Sequence, residues 1–484
     1  MNEQVSPRRR REVIDALRRG TVPANGLDLL AVGLERFTPA LDADLNFVAG
    51  GGSAFKAVRG EYGAGKTFLT RYLAERALRG GFATAEVQIS ETETPLHKLE
   101  TIYRRIGEAL RTAAFPPSAF RPVLDSWLFT LEADVTAADS GLAGRGDEAV
   151  NAAVELLLEQ RLAAVSVRTP AFARALRAYR TAAVAGDSAT ADALAAWLGG
   201  QPHVAAAAKR RAGIRGELDH FGAMGFLQGL LEVLRDAGHP GLLLVLDEVE
   251  TLQRVRGDVR DKAFNALRQL LDEIDAGRYP GFFLVITGTA AFYDGPSGVS
   301  RLPPLAQRLA TDFSTDPRFD NPRAVQLRLP GFDREALLAL GAKVRDLYAD
   351  GAEEPDRIVK TVDDAYVRDL ADAVTGFHGR EGRSRAAGVP QETRRGRPGP
   401  GRPVPGLRSA PPLQADACRR RAVRAGTQRC GWHYALRGPS RRHRHRPRPA
   451  VTNTLAWDVG SRSGMVMSRH QRGSRSSASR RMCC

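Results

Sequence analysis

The chain has 484 residues and contains no apolar run approaching the roughly 18 residues that a membrane span requires. Its first residues, Met1 to Arg11, are polar and basic with no apolar stretch behind them, unlike a signal peptide. A cytoplasmic setting is the expectation. Cysteine is scarce: four residues, Cys418, Cys430, Cys483 and Cys484, all near the C-terminus and in no zinc-binding spacing. His443 and His445 flank an arginine there; the plainer reading is an incidental pair in an Arg-rich segment rather than a metal site. Lysine is missing altogether from Glu381 onward, where 24 Arg stand against four acids for a net charge of +20. The formal net charge of +16 therefore misleads, because residues 1–380 hold 47 basic and 51 acidic residues, a net −4. A basic chain invites a nucleic-acid reading. Here the bulk of the protein is mildly acidic, and its charge gives no support for strong DNA binding.

What is present is more specific. Gly60-Glu61-Tyr62-Gly63-Ala64-Gly65-Lys66-Thr67 reads GxxxxGKT. It follows an apolar run, Ala54 to Val58, and opens into Phe68 to Leu73, which has helical spacing. Strand, glycine turn and helix are the context that a phosphate-binding loop needs. Glycines let successive N–H groups turn toward phosphate oxygens, and a helix N-terminus adds partial positive charge. Residues 60–68 are thus the expected nucleotide cradle, with Lys66 reaching the β- and γ-phosphates and the Thr67 hydroxyl ligating Mg²⁺. ATP with Mg²⁺ is the expected cofactor pair.

Leu242 to Leu246 is an unbroken apolar strand that runs into Asp247-Glu248. At the C-terminal edge of a parallel sheet, Asp247 is placed to hold the metal and Glu248 to activate water. An acidic pair after a strand can also serve only as a helix N-cap. The next strand, Gly281 to Ile286, ends in Thr287-Gly288-Thr289. Thr287 suits a polar sensor between the carboxylates and the γ-phosphate, with Thr289 the near rival, and both could be simple turn residues. Beyond it, Arg308 in Pro303 to Leu309 sits where an arginine finger would act across a homo-oligomer; Arg301 competes, and an ordinary surface arginine is the alternative.

Other patterns fix the organisation. Arg8 to Arg19 and Leu27 to Phe37 read as helices, Phe82 to Ile89 as a strand and Thr94 to Arg111 as a helix. Residues 117–220 are alanine-rich and almost continuously helical in pattern, which suggests an insertion that docks partners. Ala324 to Leu329 is a further strand, and Asp333 to Tyr348 and Asp363 to Val374 begin a small lid. Apolar strands alternating with helices indicate an α/β fold with a parallel sheet covered on both faces. The expected parts are an N-terminal helical segment (1–45), an ATPase core in two pieces (46–116 and 221–332), the insertion (117–220), a partial lid (333–380) and a disordered tail (381–484).

At Arg380 the apolar periodicity stops and Arg, Pro and Gly take over. When the codons for Glu381 onward are chosen GC-rich and read one base out of frame, they encode an amphipathic peptide with a proline near its start. A frameshift near Gly379–Glu381 is the expectation; a genuine Arg-rich interaction tail is the alternative.

The chain resembles the ATP-binding proteins of BREX bacteriophage-exclusion systems, the BrxD-like P-loop family. The segments that carry this are Arg9–Leu17, GEYGAGKT at 60–67, LVLDEVET at 244–251, TGTA at 287–290, PPLAQRL at 303–309 and LPGF at 329–332. The resemblance covers about residues 8–380. It implies a P-loop NTPase similar to AAA+ and initiator-type ATPases, with a truncated lid. It also implies ATP hydrolysis in phage defence, other defence proteins as partners, and action on DNA or on a defence complex. A nucleotide-dependent switch that hydrolyses slowly, or an inactive truncated allele, are the competing expectations. In the family the lid continues into a segment like the out-of-frame peptide, whose Ala-Pro-Arg would supply a second sensor arginine; the present chain departs there.

Overall fold

The computed structural model describes residues 5–386 apart from residue 140, and for 142, 143, 164 and 376–386 the backbone alone. Most of the expected tail, from residue 387 onward, lies outside the described residues. The centre is a five-stranded, all-parallel sheet: β1 (Ser53–Arg59), β2 (Ala83–Gln88), β3 (Leu242–Asp247), β4 (Phe282–Gly288) and β5 (Gln326–Arg328), in the order β2-β3-β4-β1-β5. The strand carrying Thr287 thus lies between the strand that leads into the glycine loop and the strand that ends at Asp247.

These segments become inner parallel strands because they can bury both faces. Leu242, Leu244 and Leu246 of β3 join Phe282, Leu284 and Ile286 of β4 in one apolar cluster. The alternate residues Leu243 and Val245, with Phe283 and Val285, join the cluster on the opposite side. Period-two alternation makes Asp247 and Thr287 continue this second face. The register Leu246↔Ile286 sets them side by side.

Helix α1 (Pro7–Arg18) forms where the sequence predicts it, capped by Ser6. The expected helix at 27–37 does not form: a single 3-10 turn spans Leu27–Leu29 and the helix proper, α2, runs from Thr38 to Ala49. Gly33 turns with φ +73°, and Pro39 tolerates only the first turn of a helix, so α2 starts beside it. α3 (Lys66–Arg79) leaves the glycine loop directly. α4 (Leu99–Ala109) begins five residues later than expected, because Pro95 and the Thr94 hydroxyl, bonded to the Gln88 carbonyl, shape a turn before it.

Residues 117–220 are helical, as α5 (Phe120–Ala138), α6 (Asp147–Arg161), α7 (Ala163–Arg168), α8 (Pro170–Val184), α9 (Ser188–Leu198) and α10 (Ala206–Arg211). Their apolar faces do not form a core of their own. Phe226, on α11 (His220–Asp236), meets Tyr103 of α4, Phe172 of α8 and Trp197 of α9 edge-on, with ring centroids 5.1–5.7 Å apart. All four belong to the cluster that also packs one face of the sheet.

The second half continues with α12 (Gly257–Asp275), α13 (Ala290–Asp294) and α14 (Pro303–Arg308). Beyond β5 come α15 (Arg334–Ala349), α16 (Pro355–Thr361) and α17 (Asp364–Ala386). α17 passes the boundary expected at 380, so the first residues of the expected disordered tail are helical. Extending a formed helix needs no new nucleation, and Arg and Ala are good helix formers.

Candidate functional site

The loop between β1 and α3 needs glycine for two reasons. Gly63 and Gly65 adopt φ of +80° and +91°, which side-chain-bearing residues resist. A Cβ on Gly60 would stand 3.0 Å from that of Ala64 and 3.3 Å from the Leu329 carbonyl. Gly65 opens α3 without any side-chain cap, leaving the first helical N–H groups free to face a ligand.

Lys66 is 8% exposed, so its ammonium needs partners. Nζ donates to the carbonyls of Gly60 at 2.9 Å and Glu61 at 3.2 Å, and lies 5.4 Å from the centre of the exposed Tyr62 ring. The lysine is folded back onto its own loop, and these neutral acceptors can be exchanged for phosphate oxygens. Phe68, one residue past Thr67, packs between two apolar clusters that join α3 to α1 and α15.

Across the sheet edge, the Thr67 hydroxyl donates to Asp247 Oδ2 at 3.1 Å. The Thr287 hydroxyl, fully buried, donates to Asp247 Oδ1. The Glu248 amide donates to Asp247 Oδ1 at 3.0 Å and to Thr287 Oγ1 at 3.2 Å. Residues separated by up to 220 positions thus converge on one carboxylate, itself 6% exposed. The Glu248 carboxylate caps nothing: the 3-10 turn Val249–Gln253 that follows it has no side-chain cap bond. Glu248 takes φ +60°, ψ +41°, a strained conformation for a non-glycine residue that costs about 1–3 kcal/mol and is held by the bonds around it.

The other candidates lie apart from this network. Thr289 is buried at the start of α13 and makes no side-chain cap bond there. Arg308 pairs with Asp272 of α12 and donates to the Pro304 carbonyl at 2.7 Å. Arg301 lies 3.7 Å from Asp261.

Three residues near the site escaped the sequence reading. Glu250 is 5% exposed, and burial pushes its carboxyl pKa up, opposed by its own backbone N–H and then by Lys66, and reinforced by Glu248 and Asp247. Tyr293 is buried beneath Arg59, whose guanidinium lies 5.8 Å from the ring centre and pairs with Asp294. The one hint in the sequence was an acid at 250 between two apolar residues, Val249 and Leu252, that the structure buries.

Parallel strands, a glycine loop opening a helix, and a threonine–carboxylate contact across the sheet edge define the P-loop class of nucleotide-binding folds. Over residues 5–387 the sequence matches the family described as BREX system ATP-binding protein BrxC/D. The match spans well over half of the chain, and the chain belongs to that family. No curated protein and no solved structure matched it. Among the described residues no helix is long and apolar enough to cross a membrane.

Proposed function

We propose that this protein binds ATP with Mg²⁺ and hydrolyses it as part of a BREX phage-defence assembly. The observation that carries the reading is the 3.1 Å contact between Thr67 and Asp247. A hydroxyl and a carboxylate from two distant segments are hard oxygen donors, the chemistry that Mg²⁺ takes. Thr67 and Asp247 would hold the cation, which when bound screens the phosphate charge and polarises the reacting phosphoryl group.

The chain's own residues do the rest. Loop amides from 60 to 68 cradle the phosphates, and Lys66 exchanges the Gly60 and Glu61 carbonyls for phosphate oxygens. Glu248, whose side chain is spoken for by no hydrogen bond among the described residues, orients a water and takes its proton. Thr287 fixes Asp247 and the Glu248 backbone, and so couples the carboxylates to the γ-phosphate position. Arg308 is the proposed finger toward a neighbouring subunit, which requires it to leave Asp272.

The net −4 of residues 1–380 favours a protein complex over DNA as the direct target. On that reading the helices of 117–220 are the docking surface and hydrolysis times a partner's release. A salt titration of DNA affinity separates the two, since binding through phosphates weakens steeply with salt. ATP hydrolysis by wild type beside Lys66→Ala and Glu248→Gln tests the core. The first should lose binding, and the second should bind without turnover. Lys66→Ala turning over normally would end the proposal. If the frame change is real, a frame-restored chain should hydrolyse faster than this one at equal ATP affinity.

A further inference from the structure

Glu250 has no part in the chemistry proposed above, yet it is the costliest group beside it. Glu250 is 5% exposed, and among the described residues neither carboxyl oxygen has a hydrogen-bond partner in another residue. A buried polar group left unpaired costs about 1–3 kcal/mol, and more when charged. The nearest cation gives no direct relief, because Lys66 is bonded to the Gly60 and Glu61 carbonyls. Asp247 and Glu248 have the same sign.

A second orphan stands nearby. The Tyr293 hydroxyl is buried without a partner among the described residues, and burial together with the charge of Glu250 pushes its pKa up. The two elements are packed together at Gly288, where a Cβ would meet Phe292, Tyr293 and Val249 at 3.1–3.3 Å. A phenol donor and a carboxyl acceptor that sense each other without bonding are what bridging water satisfies.

We infer that Glu250 is a positioning residue that steadies, through water, the divalent cation that Thr67 and Asp247 would hold. The inference rests on the Mg²⁺-ATP reading. Mg²⁺ retains several of its waters in protein sites, and those waters present only hydrogens outward, so the site needs acceptors. Glu250 offers two empty ones. It is the second residue of the 3-10 turn Val249–Gln253, which starts two residues after Asp247, and the turn is pinned: the Thr251 hydroxyl donates to the Glu248 carbonyl at 2.9 Å and to the Ile89 carbonyl at 3.3 Å. Ligand and acceptor therefore move as one piece. The rival account is a carboxyl kept neutral by burial, with no tie to the cation.

The test titrates Mn²⁺ by electron paramagnetic resonance into full-length protein bearing a non-hydrolysable ATP analogue. Glu250→Gln keeps the shape and halves the acceptor capacity. It should weaken protein-bound Mn²⁺ about 10–100-fold, as loss of outer-shell partners does, while affinity for the analogue in EDTA changes less than twofold. Glu250→Asp, which keeps the charge, should fall between, and thermal melting in EDTA checks that both fold. Mn²⁺ binding by Glu250→Gln equal to wild type overturns the inference alone, as does an equal loss of analogue binding in EDTA. Wild type that binds no analogue with or without Mn²⁺ overturns the nucleotide reading and this inference together.

Discussion

The edge of the sheet and the helices of 117–220 are built on opposite plans. At the edge, Lys66, Asp247 and Thr287 are polar side chains at 0–8% exposure; Thr67 and Thr287 bond Asp247 from distant segments, and Lys66 bonds its own loop. Among the helices the interior is Trp127, Phe172, Tyr179 and Trp197, and most charged pairs lie outward, as Arg177 with Glu159 and Arg211 with Asp187, with the buried Arg180, paired to Glu155, an exception. Yet both regions share one apolar cluster through β3, β4 and Phe226. The contrast separates two ways of spending burial. The edge sacrifices apolar contact to hold a chemical arrangement, and the helices supply apolar contact that keeps the sheet in place. Changes at the edge should therefore alter chemistry more than stability, and changes among the helices should do the reverse.

The largest effect is expected from Glu248→Gln. Removing the proposed general base should lower turnover about 10²–10⁴-fold, while analogue affinity and melting temperature stay near wild type; single-turnover hydrolysis beside melting curves measures both. A variant that melts much earlier would show that the edge is structural after all. Phe226→Ala is the mirror image. Truncating a buried aromatic ring costs about 3–5 kcal/mol, and Phe226 contacts three other rings. Denaturant unfolding should report that loss, with analogue affinity of the folded fraction unchanged. Should the affinity fall as well, the two regions are coupled and the helices do more than support.

The same contrast governs what could be read from the sequence. The loop at 60–67 and the carboxylates at 247–248 were legible because their chemistry is local: glycines at fixed offsets, a lysine and threonine at a helix start, an acid at a strand end. The preference for Thr287 over Thr289 was open in the sequence. The structure brings only Thr287 of the two to Asp247, because Thr287 lies within β4 beside that carboxylate while Thr289 lies past the strand's end at the start of α13. The helix expected at 27–37 failed for a local reason also present in the sequence, Pro39 and Gly33. Glu250 and Tyr293 were not legible, since neither residue type signals burial and only the packing of the 3-10 turn against α13 brings them together. The core shared by the 117–220 helices and the sheet was equally hidden, because an apolar helical face does not name what covers it.

A finer division within the edge follows from Thr287→Val. The substitution removes the hydroxyl that Asp247 accepts from and leaves a similar volume. One lost hydrogen bond to a charged group is worth about 1.5–3 kcal/mol. Turnover should fall about tenfold or more, with analogue affinity nearly unchanged. Stopped-flow measurement of hydrolysis against binding checks it. A Thr289→Val variant with the larger effect would transfer the sensor role to the start of α13.

The smallest effect is a pH dependence of stability. Burial raises the Glu250 pKa above its ordinary value near 4.5. The folded state then binds its proton more tightly than the unfolded state, so stability is lost as pH rises from the ordinary carboxyl range through the raised value. Glu250→Gln removes this liability. In EDTA without nucleotide the variant should melt above wild type at pH 8, by a few degrees, and the gap should narrow toward pH 5. The sign matters more than the size, because an ion pair at Glu250 would give the opposite trend, with wild type gaining stability as the carboxyl ionised. A gap that widens on acidification would mean that Lys66 leaves the Gly60 and Glu61 carbonyls to pair with Glu250 in solution. The resting loop would then be held by a salt bridge rather than by its own backbone.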